Sequence, residues 1–236
     1  AFVLASYDPV EVLKGTLSPG SISKRLRGTL VVFQFVVSIV IIIGSIIVYR
    51  QLNFITKKDL GFDKENLIVI RRSDAFWRQR ETFREQILQI DGVEKAGFSR
   101  QVPGMNYSNN AFFNDNDPEK KTYLLQQAWV SFDYPQALGV QLLDGRFFSR
   151  EFGTDSTAVL INETAVKSLG LKEPVTGQYI LQPRGPKEYQ RYKIIGVMKD
   201  FNITSVHKNI DPVCFSILFP GGGDQFATVR LSGINT

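Results

Sequence analysis

One stretch of the chain abandons the alternation of polar and apolar positions. Residues 30–49 read LVVFQFVVSIVIIIGSIIVY, carry no charge, and include fifteen Leu, Val, Ile or Phe among twenty positions. A helix rises about 1.5 Å per residue, so the run covers about 30 Å, the thickness of one hydrocarbon core. Each of these side chains favours insertion by up to about 0.3–0.6 kcal/mol near the bilayer centre. No Lys, Arg or Asp opposes them. A buried core helix is rarely so long or so β-branched. A signal peptide would lie nearer the start and lead into a small-residue cleavage site. The run is read as a transmembrane helix. Gln34, Ser38 and Ser45 fall on one stripe of it. Small polar side chains on one face turn towards other helices, so these three are expected to make helix-bundle contacts.

Beyond the run the periodicities shorten. Residues 66–70 (NLIVI) form a short apolar strand, and Ser73 or Asp74 is placed to cap a helix. Phe76, Phe83, Ile87 and Ile90 give that helix one apolar face, which Asp91-Gly92 ends. Residues 93–99 return as a strand. Residues 101–121 are rich in Asn, Asp, Pro and Gly and read as loop, with a short strand near 111–113. A strand at 126–130, a short helix at 134–138 stopped by Gly139, and a strand at 140–143 ended by Asp144-Gly145 follow. Strand–helix–strand thus appears twice, which suggests an α+β layer with two related halves.

The second half is richer in strands. Residues 158–161, 179–181, 192–198, 213–219 and 227–231 read as strands. Asn162 looks like the N-cap of a short helix with Ala165, Val166 and Leu169 on one face and Gly170 as its stop. Residues 183–186 and 220–223 read as turns.

Charge changes the picture only locally. The net charge is +5, of which residues 1–50 carry +3 through Lys14, Lys24, Arg25, Arg27 and Arg50 against Asp8 and Glu11. That basicity beside an apolar run suits an anionic membrane surface rather than a nucleic-acid groove. No basic stripe marks the folded part, so no nucleic-acid partner is expected. Four basic residues lie within twenty positions of each end of the run, so the charge rule leaves orientation open. The single Cys214 excludes an internal disulfide. The three N-x-S/T triplets at Asn106, Asn162 and Asn202 are read as chance.

The residues give no positive case for an enzyme. No phosphate-binding G-x-x-x-x-G-K-[S/T] loop occurs, and Gly221 to Gly223 read as a turn. One His207 cannot supply a zinc site, and Cys214 in VCFSILF reads as a buried thiol. Asp155, Glu163, Asp200 and Asp211 have no spacing that demands a cluster. No catalytic residue, cofactor or metal is expected.

Three ordered runs then carry a resemblance. LGFDKENLIVI after the apolar helix, LLDGRFFSREFGTDSTAVLINETAVKSLGL, and YKIIGVMKDFNITSVHKNIDPV are similar to the periplasmic core domain of MacB/FtsX-type ABC transporter permeases. The form resembles the second repeat of a large two-repeat permease, and YDPVEVLKG resembles the close of a first repeat. The chain starts at Ala1 rather than Met, and a piece of a longer polypeptide is expected.

The resemblance implies an orientation and a topology. Residues 1–29 would end a preceding spanning helix and form a cytoplasmic linker, 30–49 would span, and 50–63 would be a linker. A porter-like β-α-β lobe would occupy 64–148 with 225–236, and an inserted β-rich lobe 149–224. The fold class is α+β, one transmembrane helix followed by a two-lobed periplasmic domain. The site would be the bacterial inner membrane, with residues after about 50 in the periplasm.

The implied partners are a separate ABC ATPase, membrane lipid, a second permease copy or half as dimer mate, and a periplasmic protein. The implied function is transmission of ATP-driven movement for efflux or extraction of a substrate. The alternative is an FtsX-like regulator that recruits a cell-wall hydrolase, for which Phe112 and Phe113 would offer a partner surface. A receptor sensor is the third reading and would need a signalling output further along.

Overall fold

The apolar run forms helix α1, Ser21–Lys57, in a computed structural model that describes residues 21–57, 60–71, 79–186, 188–203, 209–218 and 225–233. Its 37 residues extend about 55 Å. The segment Arg25–Phe54 is long and apolar enough to cross a membrane, and none of its apolar window is buried against the rest of the chain. The helix does not stop at Tyr49 as expected. No Gly or Pro occurs between Arg50 and Lys57 to break it, so about half of the expected linker is helical. It also begins at Ser21, inside the expected cytoplasmic linker. Ser38 Oγ and Ser45 Oγ donate to the carbonyls of Gln34 and Ile41 at 2.9 and 2.8 Å, which satisfies both hydroxyls within the helix.

Residues 59–236 form a second unit, described by itself. Its strands are β1 (Leu67–Arg71), β2 (Val93–Ser99), β3 (Ser108–Asn114), β4 (Tyr123–Val130), β5 (Leu142–Gly145), β6 (Ala158–Asn162), β7 (Tyr179–Pro183), β8 (Tyr189–Met198), β9 (Val213–Ile217) and β10 (Phe226–Leu231). The helices are α2 (Arg80–Leu88), α3 (Tyr134–Leu138) and α4 (Glu163–Ser168), with a 3₁₀ turn at Gly153–Thr157.

Six strands close a ring. β4 pairs with β3, β3 with β7, β7 with β8, β8 with β6, β6 with β9, and β9 returns in parallel to β4. A ring of six is narrow, so inward side chains must fill it. Phe112, Leu125, Val159, Ile161, Ile180, Tyr192, Ile194 and Cys214 do so as one buried cluster. The rest of the interior is polar and paired. Gln127 accepts from Asn110 and Gln182 at 2.9 and 2.8 Å, and its own amide donates to Ser216 at 2.8 Å. Buried amides without partners would each cost about 1–3 kcal/mol, so the network fixes the register of four strands. α4 packs Ala165 into the same cluster, and Asn162 caps it by accepting from Ala165 N at 3.0 Å.

The remaining sheet adjoins the ring through Ser99 and Val130. β10 lies between β1 and β2 and is antiparallel to both. The expected β-α-β unit is therefore split, with the last strand of the chain inserted between its strands. α2 covers one face through Phe83, Ile87 and Leu88 against Ala96 and Val229. Phe76, Ser73 and Asp74 lie outside the described residues. Ile90 follows the helix end and is exposed, not part of the apolar face. α3 covers the other side, with Tyr134 and Leu138 in the cluster that also holds Phe215 and Met198 on the outside of the ring. Gly139 ends α3 at φ +76°, as expected.

Other expectations shift. The short strand expected near 111–113 within the loop is longer, β3, of 7 residues. β5 starts at Leu142 and includes Asp144 and Gly145, which pair with Val197 and Gly196 on β8. The lobe boundary expected near residue 148 passes through the ring, because β3 and β4 pair into it with β7 and β9.

Burial sets three titrations. It pushes the Cys214 thiol well above its ordinary range. It pushes the Tyr134 phenol up to about 12, and raises Tyr107 beside it. The unfolded chain ionises both phenols near the ordinary value of about 10. Stability from the neutral buried phenols is whole below that pH and is lost as pH rises towards about 12. Alkaline unfolding curves should steepen above about pH 10, less so in Tyr134→Phe. Cys214 should resist thiol reagents until the chain is unfolded; rapid labelling of the folded protein would contradict its placement.

Candidate functional site: the strap after the helix

The chain leaves α1 at Lys57, and at Leu60, Phe62, Asp63 and Asn66 it is bonded to the rest of the folded unit. Residues 60–66 form a strap with three sets of fastenings. The first is to the chain beyond β8. Asn202 N donates to the Leu60 carbonyl at 2.7 Å. Gly61 sits at φ +79°, and a Cβ there would collide with the Asp200 carbonyl and lie 2.7 Å from Phe201 Cα. Only glycine allows that approach.

The second fastening is apolar. Phe62 makes an isolated bridge with Val140 and packs on the cluster outside the ring. Its ring meets Phe201 edge-on at 6.5 Å, and Phe201 meets Phe215 of β9 at 5.6 Å. Phe201 is fully buried. Asp200 accepts from Thr164 N and Oγ1 at 2.9 and 2.8 Å, while its own N–H donates to Glu163 at 3.0 Å. The chain beside the strap is thus tied to α4. Of the four carboxylates weighed from sequence, Asp200 and Glu163 meet here and Asp155 lies in a separate ion pair with Arg146.

The third fastening is ionic. Arg230 of β10 is nine-tenths buried, and its guanidinium must find partners. Nη1 donates to Asp63 Oδ2 at 2.6 Å, Nη2 to the Asp63 carbonyl at 2.8 Å, and Nε to the Ala137 carbonyl of α3 at 3.0 Å. Gly139 lies under the guanidinium, where a Cβ would approach Arg230 Cζ at 3.1 Å. Leu231 N then closes the strap by donating to the Asn66 carbonyl at 2.8 Å. Strap, α3 and β10 meet at one cation.

Neither Asp63 nor Arg230 stood out in the sequence. The available signal was Arg230 itself, a charge inside the apolar run FATVRL. Of the expected site residues, Gln34, Ser38 and Ser45 share one side of α1, within about 40° at 100° per residue, and all three are exposed. Phe112 is a correction. It is fully buried inside the ring and cannot serve a partner surface. Phe113, on the outward side of β3, is half-buried with its ring 5.7 Å from Tyr189. His207 and residues 221–223 lie outside the described residues. Among the described residues no group of His, Cys, Asp and Glu could hold a metal ion.

The ionic fastening is testable. Arg230→Met should lower unfolding stability by about 1–3 kcal/mol. Combined with Asp63→Ala it should show a coupling energy of about 0.5–3 kcal/mol in a double-mutant cycle by chemical denaturation. Additive losses would show that the pair is not coupled.

Comparisons place this architecture. The model of the family described as MacB-like periplasmic core domain matches residues 32–232. The periplasmic region of MacB from Actinobacillus actinomycetemcomitans is similar at a TM-score of 0.50 and 16% identity, over 75% of this chain and 78% of that one. The extracellular domain of the noncanonic ABC-type transporter YknZ from Gram-positive bacteria is similar at a TM-score of 0.47 and 16% identity, over 72% of this chain and 86% of that one. No curated protein matches. At 16% identity the MacB structure speaks to the fold alone, and the family rests on the match along most of the chain: this protein belongs to the MacB-like periplasmic core domain family of ABC transporter permeases.

Proposed function

We propose that this chain is the force-transmitting part of an ABC transport system in a bacterial inner membrane. A separate ATPase acts in the cytoplasm, α1 crosses the bilayer, and the unit beyond residue 59 works in the periplasm on a substrate that is extracted or expelled. Gln34, Ser38 and Ser45 would face neighbouring helices, including those of a second permease copy or half. Lys24, Arg25 and Arg27 would sit at the anionic lipid surface on the cytoplasmic side. Movement would act between the sheet of β1, β10 and β2 and the ring, which draws strands from both the porter-like part (64–148 with 225–236) and the β-rich part (149–224).

The observation that supports this reading most is the strap. A soft linker would absorb displacement of a helix. Here the helix continues to Lys57 and the chain is bonded again at Leu60. The strap holds both β10, through Arg230 and Leu231, and the outside of the ring, through Phe62 and Phe201. Load entering at residue 60 would reach both parts of the unit. The regulatory alternative, a hydrolase recruiter, loses its main anchor with Phe112 inside the ring.

The test is an insertion. A flexible Gly/Ser stretch placed after Lys57 in the assembled transporter should leave ATP hydrolysis running and abolish the ATP-dependent distance change in the periplasmic unit, read between two spin labels. An Ala-rich insertion of equal length should preserve more of that change. Unaltered periplasmic movement after the Gly/Ser insertion would overturn the proposal.

A further inference from the structure

The strap uses one side of the unit. On the outward side of β7 and β8 lies a separate cleft of about 280 Å³, bounded by the 3₁₀ turn and the chain that follows β5. That volume is at the small end for a ligand site and suits a group of a few heavy atoms. Arg146, Arg191 and Lys193 line it, against one lining carboxylate, Asp155.

The three cations are not equivalent. Arg146 is held by Asp155, which accepts from both of its terminal nitrogens at 2.7 Å. Its guanidinium also lies 4.0 Å from the centre of the Phe152 ring. Asp155 is buried and accepts a further bond from Ser149 N at 2.9 Å, so its charge is fully engaged. Arg191 is held by Asp115, at 2.9 Å through Nε and 2.7 Å through Nη2, and is stacked at 3.7 Å on Tyr179. Both guanidiniums are therefore fixed before anything binds, which lowers the entropic cost of using them.

Lys193 is different. It sits in β8 with Tyr179 of β7 on one side and Ala158 of β6 on the other. Among the described residues no carboxylate pairs with it. The nearby acids are spent on the two arginines, and the remaining donors of the lining are the hydroxyls of Thr154 and Tyr179, that of Thr157 being bonded to the Thr154 carbonyl at 3.1 Å. A concave site with two oriented guanidiniums, an uncompensated ammonium and hydroxyl donors has one complementary chemistry, a compact anion with several acceptor oxygens.

We propose that this cleft binds a small oxyanion, the phosphate or carboxylate group of a soluble ligand or a lipid headgroup, with Lys193 as its central contact. The site is independent of the strap and of the transport reading. The test uses the full chain, ¹⁵N-labelled, in neutral detergent. Titration with inorganic phosphate should shift the Lys193 amide saturably. Lys193→Met should weaken binding at least tenfold, and Lys167→Met, an exposed lysine on α4, should leave it unchanged. A second arm places the chain in nanodiscs of phosphatidylcholine with or without phosphatidylglycerol. A Lys193 shift only with phosphatidylglycerol assigns the anion to lipid; no shift there, with phosphate binding intact, assigns it to a soluble ligand. Shifts that do not saturate, or equal phosphate affinity in Lys193→Met with its other amide shifts unperturbed, would overturn the proposal.

Discussion

A buried guanidinium has no neutral form to retreat to. Arg230 therefore dictates what must stand around it: a carboxylate, two carbonyls, and a glycine thin enough to let it lie flat. Those groups come from two places far apart in the chain, residue 63 and residues 137–139, and they can assemble around Arg230 only if strap, α3 and β10 are all in position. Losing one partner would leave charge buried without compensation, which is costly. The pairing thus works as a check on assembly as much as a source of stability. It joins the beginning of the folded unit to its last strand.

The rest of the architecture can be laid out from that point. β10 carries Arg230 and separates β1 from β2, so the sheet that receives the strap is completed by the end of the chain. On the other side, Phe62 and Phe201 lead to Phe215 on β9, one of the six strands in the ring. The ring is stiffened from within by Gln127 and its partners Asn110, Gln182 and Ser216. A closed ring has no free edge to open. The split sheet and the closed ring differ in construction and are joined where Ser99 pairs with Val130, flanked by the bonds from Arg100 N to the Trp129 carbonyl and from Ser131 N to the Phe98 carbonyl.

Local signals were legible and non-local ones were not. Gly139 and Asn162 mark their helix ends because capping is a matter of one or two residues. The end of α1 was misplaced at Tyr49, where hydropathy stops, because a helix continues for as long as nothing breaks it. Alternation in β3 requires Phe112 and Phe113 to face opposite ways, but only the pairing of Phe113 with Leu181 and Asn114 with Ile180 decides which one is inside. The closure of β4 on β9 and the insertion of β10 between β1 and β2 pair residues 87 to 163 positions apart. No window of sequence contains that information. Family resemblance supplied the class of the fold, and the strap motif LGFD was within it, yet the role of Asp63 appears only once Arg230 lies beside it.

Under the proposed function, the strap is the point at which movement of α1 would enter the folded unit. That role demands that residues 60–66 be part of the unit and not a tether to it. Native-state hydrogen exchange tests this directly, at the Asn202 amide bonded to Leu60 and the Leu231 amide bonded to Asn66. Both should exchange as slowly as the other protected amides of β10 and lose protection together with them on mild denaturation. Exchange of both at the rate of an open loop, while residues 226–230 of β10 stay protected, would contradict the account.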